Sequence, residues 1–192
     1  MPLRYELKDL VEMIDEPNRS RCRKLLRDNL RLFKRSYGST HNHQNWPGGY
    51  YDHITEVMNI AAALFGGLGA YRPLPFSLSD ALLVLFFHDI EKPWKYVTDR
   101  KGELKHSRRF KTEADQHQFQ AKKLAEYRVE LSDQQANALR YVHGELDEYS
   151  SKRRAMGPLG AFCHMCDVWS ARGWFNHPGD PWLGAKKVSE RR

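Results

Sequence analysis

An adjacent histidine and aspartate, His88 and Asp89, end the most apolar stretch of the sequence, ALLVLFFHDI. A buried helix that ends in an imidazole and a carboxylate must satisfy both groups, because burying an unpaired polar group costs free energy. A metal ion is one partner that satisfies them. Taken alone, a His-Asp pair is far more often structural, so the hypothesis depends on finding further ligands.

Further side chains of metal-ligating types lie on both sides of this pair. His53 lies 35 residues before His88, and His117, His143 and Asp167 follow, each near a predicted helix. With Asp89 the set offers four imidazoles and two carboxylates. A mixed nitrogen and oxygen set suits Mn, Fe, Co, Ni or Zn better than a dedicated Ca or Mg site. The sequence therefore predicts a divalent transition-metal cofactor.

The order of these residues along the chain is similar to the order of metal ligands in a known family. His53, then His88-Asp89, then a distal Asp167 resembles the signature of the HD superfamily of helical metal-dependent phosphohydrolases. The resemblance covers about residues 50 to 171, where YDHITEVMNIA resembles the helix of the family's first histidine and FFHDIEKPW its buried helix. It implies that these four residues hold one ion.

His117 and His143 resemble the additional histidines of the subgroups with two metals, in which Asp89 would bridge the ions. The resemblance thus favours a two-ion site. Ions about 3.5 to 4 Å apart activate a bridging hydroxide and clamp the phosphoryl oxygens of a substrate. The implied function is a phosphohydrolase that cleaves a phosphoester of a nucleotide or a similar phosphorylated metabolite.

Lys92 and Glu56 join Asp89 as the candidate catalytic residues. Lys92 follows Asp89 by one helical turn, where its ammonium would meet charge that develops on a phosphate. A surface lysine has equal weight. Glu56 follows His53 by one turn, where it would orient a ligand histidine or relay a proton. A solvated glutamate has equal weight here.

Cationic and aromatic residues near the predicted site are candidate substrate contacts. Arg108 and Arg109 would bind phosphate. Four residues follow Asp167 closely: Trp169, Arg172, Trp174 and Phe175. Their rings and guanidinium would border the pocket and stack on a nucleobase, although packing onto the domain is the more frequent use of such aromatics.

Other histidines are placed outside the predicted ligand set. His164 shares a helix face with Asp167, and Cys163 and Cys166 bracket it. A single CxxC in an apolar helix is a poor zinc site, so the two thiols are predicted to be core residues and His164 is left outside the ligand set. The histidines in polar segments are predicted to lie at the surface: His41, His43, His106 and His177.

Two departures leave the subgroup open. The chain lacks the GYP motif and the paired second histidines of the cyclic-dinucleotide phosphodiesterase branch, because Gly144 follows His143. It also has Lys92 at the position where the deoxynucleotide 5'-monophosphatase branch has an acid.

The elements that must position these residues are predicted to be helices. The fold class is mostly α, a single-domain HD-type helical bundle over residues 1–192 with one short β-hairpin near 94–105. Residues 1–35 form a helical scaffold, 50–171 the metal-binding core and 173–192 an irregular tail. The first core helix is expected at about 50–65 and ends at Gly66-Gly67. The second is the apolar helix that Ser79 caps, and the others are expected at about 112–127, 133–146 and 158–171.

Composition limits the class of protein without selecting a substrate. Three cysteines and no signal-peptide pattern argue against a secreted disulfide framework, so a cytoplasmic location is expected. The longest strongly apolar run, Ala81 to Phe87, is too short for a membrane span, and no membrane role is expected. The net charge of +7 fits a phosphorylated small molecule, permits nucleic acid without favouring it, and leaves the oligomeric state undetermined.

Two further function classes stay open. Some proteins with an HD-like core resemble inositol oxygenase and a phosphonate-cleaving relative, and use the same ligand set to hold two irons in an oxygenase. Lys92 suits a substrate role there too. A non-catalytic nucleic-acid-binding module with a vestigial site is the third hypothesis, and the presence of all six candidate ligands argues against it.

Overall fold

The computed structural model describes residues 4–40, 43–98, 103–145 and 148–173. Over these residues the chain is mostly helical with one two-stranded antiparallel hairpin, as the sequence predicts. Along the chain the elements are α1 (Leu7–Glu12), α2 (Asn18–Phe33), α3 (Gly49–Tyr71), α4 (Leu78–Phe87), α5 (Lys92–Lys95), β1 (Tyr96–Thr98), β2 (Leu104–His106), α6 (Glu113–Glu126), α7 (Asp133–Tyr141) and α8 (Pro158–Val168), which continues as a π-helical turn (Trp169–Gly173). The predicted tail after residue 173 lies outside the described residues.

Helix α4 lies at the centre of the core because it is apolar on every face. Its side chains from Ala81 to Phe87 are at most 1% exposed, and the helix contacts α1, α3, α7 and α8. A helix that is hydrophobic all round is stable only when other elements surround it. His88 and Asp89 follow α4 directly, so the packing of the core fixes where they lie.

The N-terminal cap of α4 differs from the predicted one. Ser77 accepts a hydrogen bond from the Asp80 N–H at 3.1 Å, and Asp80 accepts one from the Ser77 N–H at 2.8 Å. This capping box needs an acidic or amide side chain three residues after the cap, which Ser77 has and Ser79 lacks. The predicted cap at Ser79 was therefore wrong, and the Ser79 hydroxyl instead accepts the Asp15 N–H at 2.8 Å.

Helices α1 and α2 form the helical N-terminal scaffold. The buried apolar side chains of this segment are Leu7, Leu10, Val11, Ile14, Leu25, Leu26 and Phe33. Helix α1 contacts α2, α3 and α4. The Tyr5 N–H donates to Asn59 Oδ1 at 2.8 Å, and Asn59 Nδ2 donates back to the Tyr5 carbonyl at 2.9 Å. These bonds brace the scaffold against α3, the helix that carries His53.

Helix α3 is longer than predicted, since it passes through Gly66 and Gly67 and ends at Tyr71. Glycine inside a helix costs about 1 kcal/mol relative to alanine, which weakens a helix without ending it. The stop comes from Pro73, whose ring disfavours helical geometry at the preceding residue. Arg72 is accordingly extended, with φ −154° and ψ 136°.

By length and composition alone, α3 is also the one helix among the described residues that could cross a membrane. Its most apolar 18 residues have a mean hydropathy of 1.2, and 44% of that window is buried inside the protein. Core helices of soluble proteins meet the same criteria. The expected absence of a membrane role therefore stays a prediction, as does the cytoplasmic location.

The short hairpin forms close to its predicted position. Strands β1 and β2 pair antiparallel with Tyr96 opposite His106 and Thr98 opposite Leu104. Residues 94 and 95, which were included in the predicted hairpin, belong instead to the short helix α5.

Helix α6 lies at the edge of the bundle. Its Phe119 ring packs on Trp94 at a centroid distance of 5.1 Å, and Gln120 Nε2 donates to the Phe87 carbonyl at 3.0 Å. No α6 residue belongs to the fully buried hydrophobic cluster of the described chain, although Leu124 packs against it. The helix is thus attached to the end of α4 by a few side-chain contacts.

Helix α7 has the predicted start but ends earlier than predicted. Ser132 and Gln135 form the expected capping box. The helix ends at Tyr141, and Gly144 has a left-handed φ of +110°, a conformation that ends helices. The predicted end, Leu146, lies outside the described residues, and His143 lies in a turn that follows α7 instead of on the helix.

Two glycines of α3 should respond in opposite ways to alanine. A Cβ on Gly49 would lie 1.9 Å from the Gln44 carbonyl oxygen, whereas a Cβ on Gly66 would have no heavy atom within 4 Å. We expect Gly49→Ala to lower the free energy of unfolding by about 1–3 kcal/mol. Gly66→Ala should raise it by up to about 1 kcal/mol. Urea denaturation measures both changes, and two changes of the same sign would contradict this description of α3.

Candidate metal centre

Three helix ends bring four of the predicted ligands together. His53 lies near the start of α3, His88 and Asp89 follow the end of α4, and Asp167 lies near the end of α8. One ligand atom from each of the four lies within 4.8 Å of the ligand atoms of the other three. His53 and His88 are at most 2% exposed, and Asp89 is 3% exposed. The four residues could hold one metal ion.

The distances between these atoms suit a shared ion. His53 Nε2 lies 3.1 Å from His88 Nε2 and 3.2 Å from both Asp89 Oδ2 and Asp167 Oδ1. His88 Nε2 lies 3.2 Å from Asp89 Oδ2 and 3.6 Å from Asp167 Oδ1. Ligand atoms about 2.1 Å from one ion are about 3.0 Å apart at a right angle and about 3.4 Å apart at a tetrahedral angle.

Asp89 Oδ2 supports the same conclusion because it is buried and accepts no well-formed hydrogen bond among the described residues. Its neighbours are the two Nε2 atoms and the ammonium of Lys92. A buried carboxylate oxygen without a well-aligned donor is costly unless a cation binds it. The donor set and this oxygen both fit a divalent ion.

His88 is oriented by the backbone. Its Nδ1 lies 2.7 Å from the Leu85 carbonyl oxygen, to which only an N–H can donate. The proton of a neutral ring is therefore on Nδ1, and the Nε2 lone pair faces the carboxylates, as in metal-ligating histidines.

The electrostatic field at the cluster favours positive charge. Burial by itself disfavours the imidazolium, yet the Asp89 and Asp167 carboxylates raise the pKa of His88 to about 10. Burial would also raise the pKa of Asp89 and of Asp167, but the neighbouring cationic groups hold both pKa values well below the usual range. Two ionised carboxylates in the core thus create a place where a cation is stabilised.

His53 is oriented by side chains. Its Nδ1 lies 3.2 Å from the Ser170 hydroxyl oxygen, and Ser170 donates to Glu56 Oε2 at 2.8 Å. Gln44 Nε2 donates to the same Glu56 oxygen at 2.7 Å. Burial raises the pKa of Glu56 to about 7, although the hydrogen bonds from Ser170 and Gln44 and the charge of His53 oppose the rise. Glu56 is buried behind His53, so the alternative of a solvated glutamate was wrong.

Lys92 is buried, so the alternative of a surface lysine was also wrong. The side chain is 11% exposed, and its ammonium forms an ion pair with Asp89. Burial disfavours the ammonium, but the Asp89 and Asp167 charges raise the pKa of Lys92 above its usual value. The side chain is therefore a cation directly beside the cluster.

His143 and His117 lie on the open side of the cluster. His143 Nε2 lies 3.4 Å from Asp89 Oδ1 and 3.9 Å from Asp167 Oδ2, and its side chain is 48% exposed. His117 on α6 is half exposed, with Nε2 3.8 Å from a Glu113 oxygen. Both histidines line a cavity of about 260 Å³ that His88 also lines. His143 thus reaches the cluster, whereas His117 lies across the cavity.

The residues predicted to contact substrate have their described contacts with residues outside the cluster. The Arg109 guanidinium lies 5.0 Å from the Phe119 ring centroid, and Arg108 occupies the adjoining exposed turn. Trp169 is 52% exposed, its indole faces Gly173, and Arg172 is exposed on the same π-helical turn. Their roles as substrate contacts stay predictions. The remaining predicted residues of this group and two of the predicted surface histidines lie outside the described residues: Trp174, Phe175, His41 and His177.

His43 was wrongly predicted to lie at the surface. It is partly buried, and its ring centroid lies 5.2 Å from that of His53. Burial, with the positive charge of Lys92, lowers the pKa of His43 to about 4. Sequence reasoning also missed Gln44 and Ser170. One feature of the sequence pointed to His43 and Gln44: their turn-rich loop runs directly into the helix that carries His53.

His164, Cys163 and Cys166 have contacts outside the cluster. His164 Nδ1 lies 2.7 Å from the Val142 carbonyl oxygen, which accepts its proton. Cys163 and Cys166 are buried free thiols, as is Cys22. Burial raises the pKa of both Cys22 and Cys166 to about 12, so these thiols stay protonated.

Comparisons with protein-family models, with curated proteins and with solved structures found no match for this chain.

Removal of a ligand should be distinguishable from removal of a neighbouring histidine. We expect His53→Gln and Asp167→Asn each to weaken Mn²⁺ binding by more than the roughly 10–100-fold that loss of an outer partner costs. His164→Gln is the matched control, because His164 lies on α8 beside Asp167 but bonds to the backbone. Titration calorimetry measures the affinities, and equal binding by all three variants would rule out this centre.

Proposed function

We propose that the protein is a metal-dependent phosphohydrolase of the HD type. The observation that carries the proposal is the convergence of His53, His88-Asp89 and Asp167 in one buried cluster, in the chain order that the resemblance implies. The helical architecture and the placement of His88-Asp89 at the end of the central helix support it as well. The proposed substrate is a phosphoester of a nucleotide or of a similar phosphorylated metabolite.

The two-ion form of the centre is supported by the fact that the two oxygens of each carboxylate face different histidines. Asp89 directs Oδ2 to His53 and His88, and Oδ1 to His143. Asp167 divides its oxygens in the same way. A carboxylate with ligands on both sides is suited to bridge two ions, one held by His53, His88 and Asp167. The second would be held by the histidines that line the cavity, His143 and His117.

Divalent ions of the Mn, Fe, Co, Ni or Zn class supply two things when bound here: a water molecule activated for attack and neutralisation of phosphoryl charge. The protein supplies the rest. Lys92 is a buried cation beside Asp89, positioned to stabilise negative charge that develops on a bound phosphoryl group. Glu56 acts on His53 through Ser170, so we propose a positioning role for Glu56 and no direct proton transfer to substrate.

An oxygenase with two irons is the second candidate, and the specific observation that favours it is the approach of His143 to both carboxylates. The same donor set serves both chemistries, so oxygen dependence separates them. A nucleic-acid-binding module with a vestigial site gains no support from a cluster in which both carboxylates and both buried histidines point at one another.

The function is tested with purified protein loaded with Mn²⁺ or Co²⁺ and a panel of phosphomonoesters, phosphodiesters and nucleotides under anaerobic conditions. We expect release of phosphate or of a nucleoside without oxygen, and a metal content above one ion per chain by elemental analysis. Turnover that requires both Fe²⁺ and oxygen would transfer the assignment to the oxygenase. Full activity in the metal-stripped protein would refute both enzyme classes.

Replacement of Lys92 should affect turnover more than metal content. Lys92→Met keeps the apolar stem and removes the charge, and we expect kcat to fall by about 10²–10³-fold, as when one stabilising donor is removed. Lys95→Met is the matched control, because Lys95 lies on the same short helix and bonds to Gln116 at 3.2 Å. Metal content and kcat are measured on both variants. An unchanged kcat in Lys92→Met would exclude the proposed role.

A further inference from the structure

We infer that Ser170, Glu56 and Gln44 form a relay that fixes the proton of His53 on Nδ1 and thereby sets how tightly the centre binds its metal. The inference rests on the proposed metal centre and adds three residues that do not touch the ion. They are positioning residues.

With Glu56 ionised, counting protons along the relay leaves one arrangement. Ser170 has one hydroxyl proton and donates it to Glu56 Oε2 at 2.8 Å. Gln44 donates to the same oxygen at 2.7 Å, so Glu56 acts as an acceptor twice. The Ser170 oxygen then acts only as an acceptor, toward Gln44 Nε2 at 3.3 Å and toward His53 Nδ1 at 3.2 Å. Nδ1 must carry the proton, and Nε2 keeps the lone pair that faces the carboxylates.

Burial makes this arrangement strict. Ser170 and His53 are 0% exposed, Gln44 is 1% exposed and Glu56 is 4% exposed. Water cannot easily replace a missing partner there, so loss of one of these hydrogen bonds is costly. A change in one member therefore reverses or breaks the hydrogen bond at the next.

The relay ties two segments without primary ligands to the metal centre. Gln44 comes from the loop before α3, where its backbone has a left-handed φ of +46° and its carbonyl accepts the Gly38 N–H at 3.0 Å. Ser170 comes from the π-helical turn after α8. Such turns are frequent at functional sites, and this one places a hydroxyl against His53.

His88 differs from His53 in the partner of its Nδ1. Its Nδ1 donates to the backbone carbonyl of Leu85, which no substitution removes. His53 is therefore the histidine of the buried pair whose metal affinity depends on replaceable side chains, and the relay can be tested without touching a ligand.

The affinity experiment compares three variants of the full chain by chelator competition with Mn²⁺. Ser170→Ala should weaken binding by about 10–100-fold, the usual cost of losing an outer partner of a ligand histidine. Glu56→Leu should do the same, because it removes the acceptor of the Ser170 proton and lets Ser170 donate to His53 Nδ1. Ser36→Ala is the matched control: Ser36 is also buried but donates to the Leu32 carbonyl at 2.8 Å, and its removal should leave affinity unchanged.

A second readout needs no metal. Nitrogen-15 NMR of the metal-free wild type, with His53→Gln for assignment, reports which ring nitrogen of neutral His53 carries the proton. We expect Nδ1–H in the wild type at a pH at which Glu56 is ionised, and Nε2–H in Glu56→Leu. The relay is refuted if the wild type shows Nε2–H, or if Ser170→Ala binds Mn²⁺ as tightly as the wild type. A wild type that binds no metal but shows Nδ1–H would refute the metal centre and leave the relay's effect on the proton established.

Discussion

Two carboxylates buried side by side are the constraint on which the rest of this structure depends. Asp89 follows the end of α4 and Asp167 lies near the end of α8, and their oxygens converge on the same histidine nitrogens. Like charges this close in a core repel one another strongly, because the surrounding medium screens them poorly. The arrangement is stable only with positive charge between or beside them, and His88, Lys92 and a bound cation can supply it.

The packing of the helices determines which side chains lie beside the two carboxylates. Helix α4 is wholly apolar and surrounded, so its end cannot shift without disturbing the core. The start of α3 and the end of α8 lie at the cluster, so each helix places one candidate ligand within about a turn of its terminus. Side chains at helix ends converge more easily than side chains in the middle of parallel helices. The loop before α3 and the π-helical turn after α8 then occupy the space behind His53.

Much of this could be predicted from the sequence, and the limits have physical causes. The helices follow from periodicity, whereas the choice of the four residues as a ligand set came from residue types and from their resemblance in chain order to a known family. The glycine pair in α3 misled the prediction because glycine weakens a helix locally, whereas the actual stop is imposed by Pro73 from outside. His43, Gln44 and Ser170 escaped prediction because their burial depends on how two irregular segments fold back, and no periodic pattern encodes that. Whether Lys92 and Glu56 are buried likewise depended on tertiary contacts.

The attachment of α6 has a consequence for how the site is divided. His53, His88, Asp89 and Asp167 lie on or directly beside α3, α4 and α8, which pack on one another, so separating these residues would disturb the core. His117 belongs to a helix attached mainly through Phe119 and Gln120, and such peripheral elements open at a lower free energy than the whole domain. The wall of the cavity that bears His117 can therefore separate while the four-residue cluster stays intact. In the proposed two-ion centre, the residues of the cluster and the histidine on α6 would therefore differ in how readily they separate.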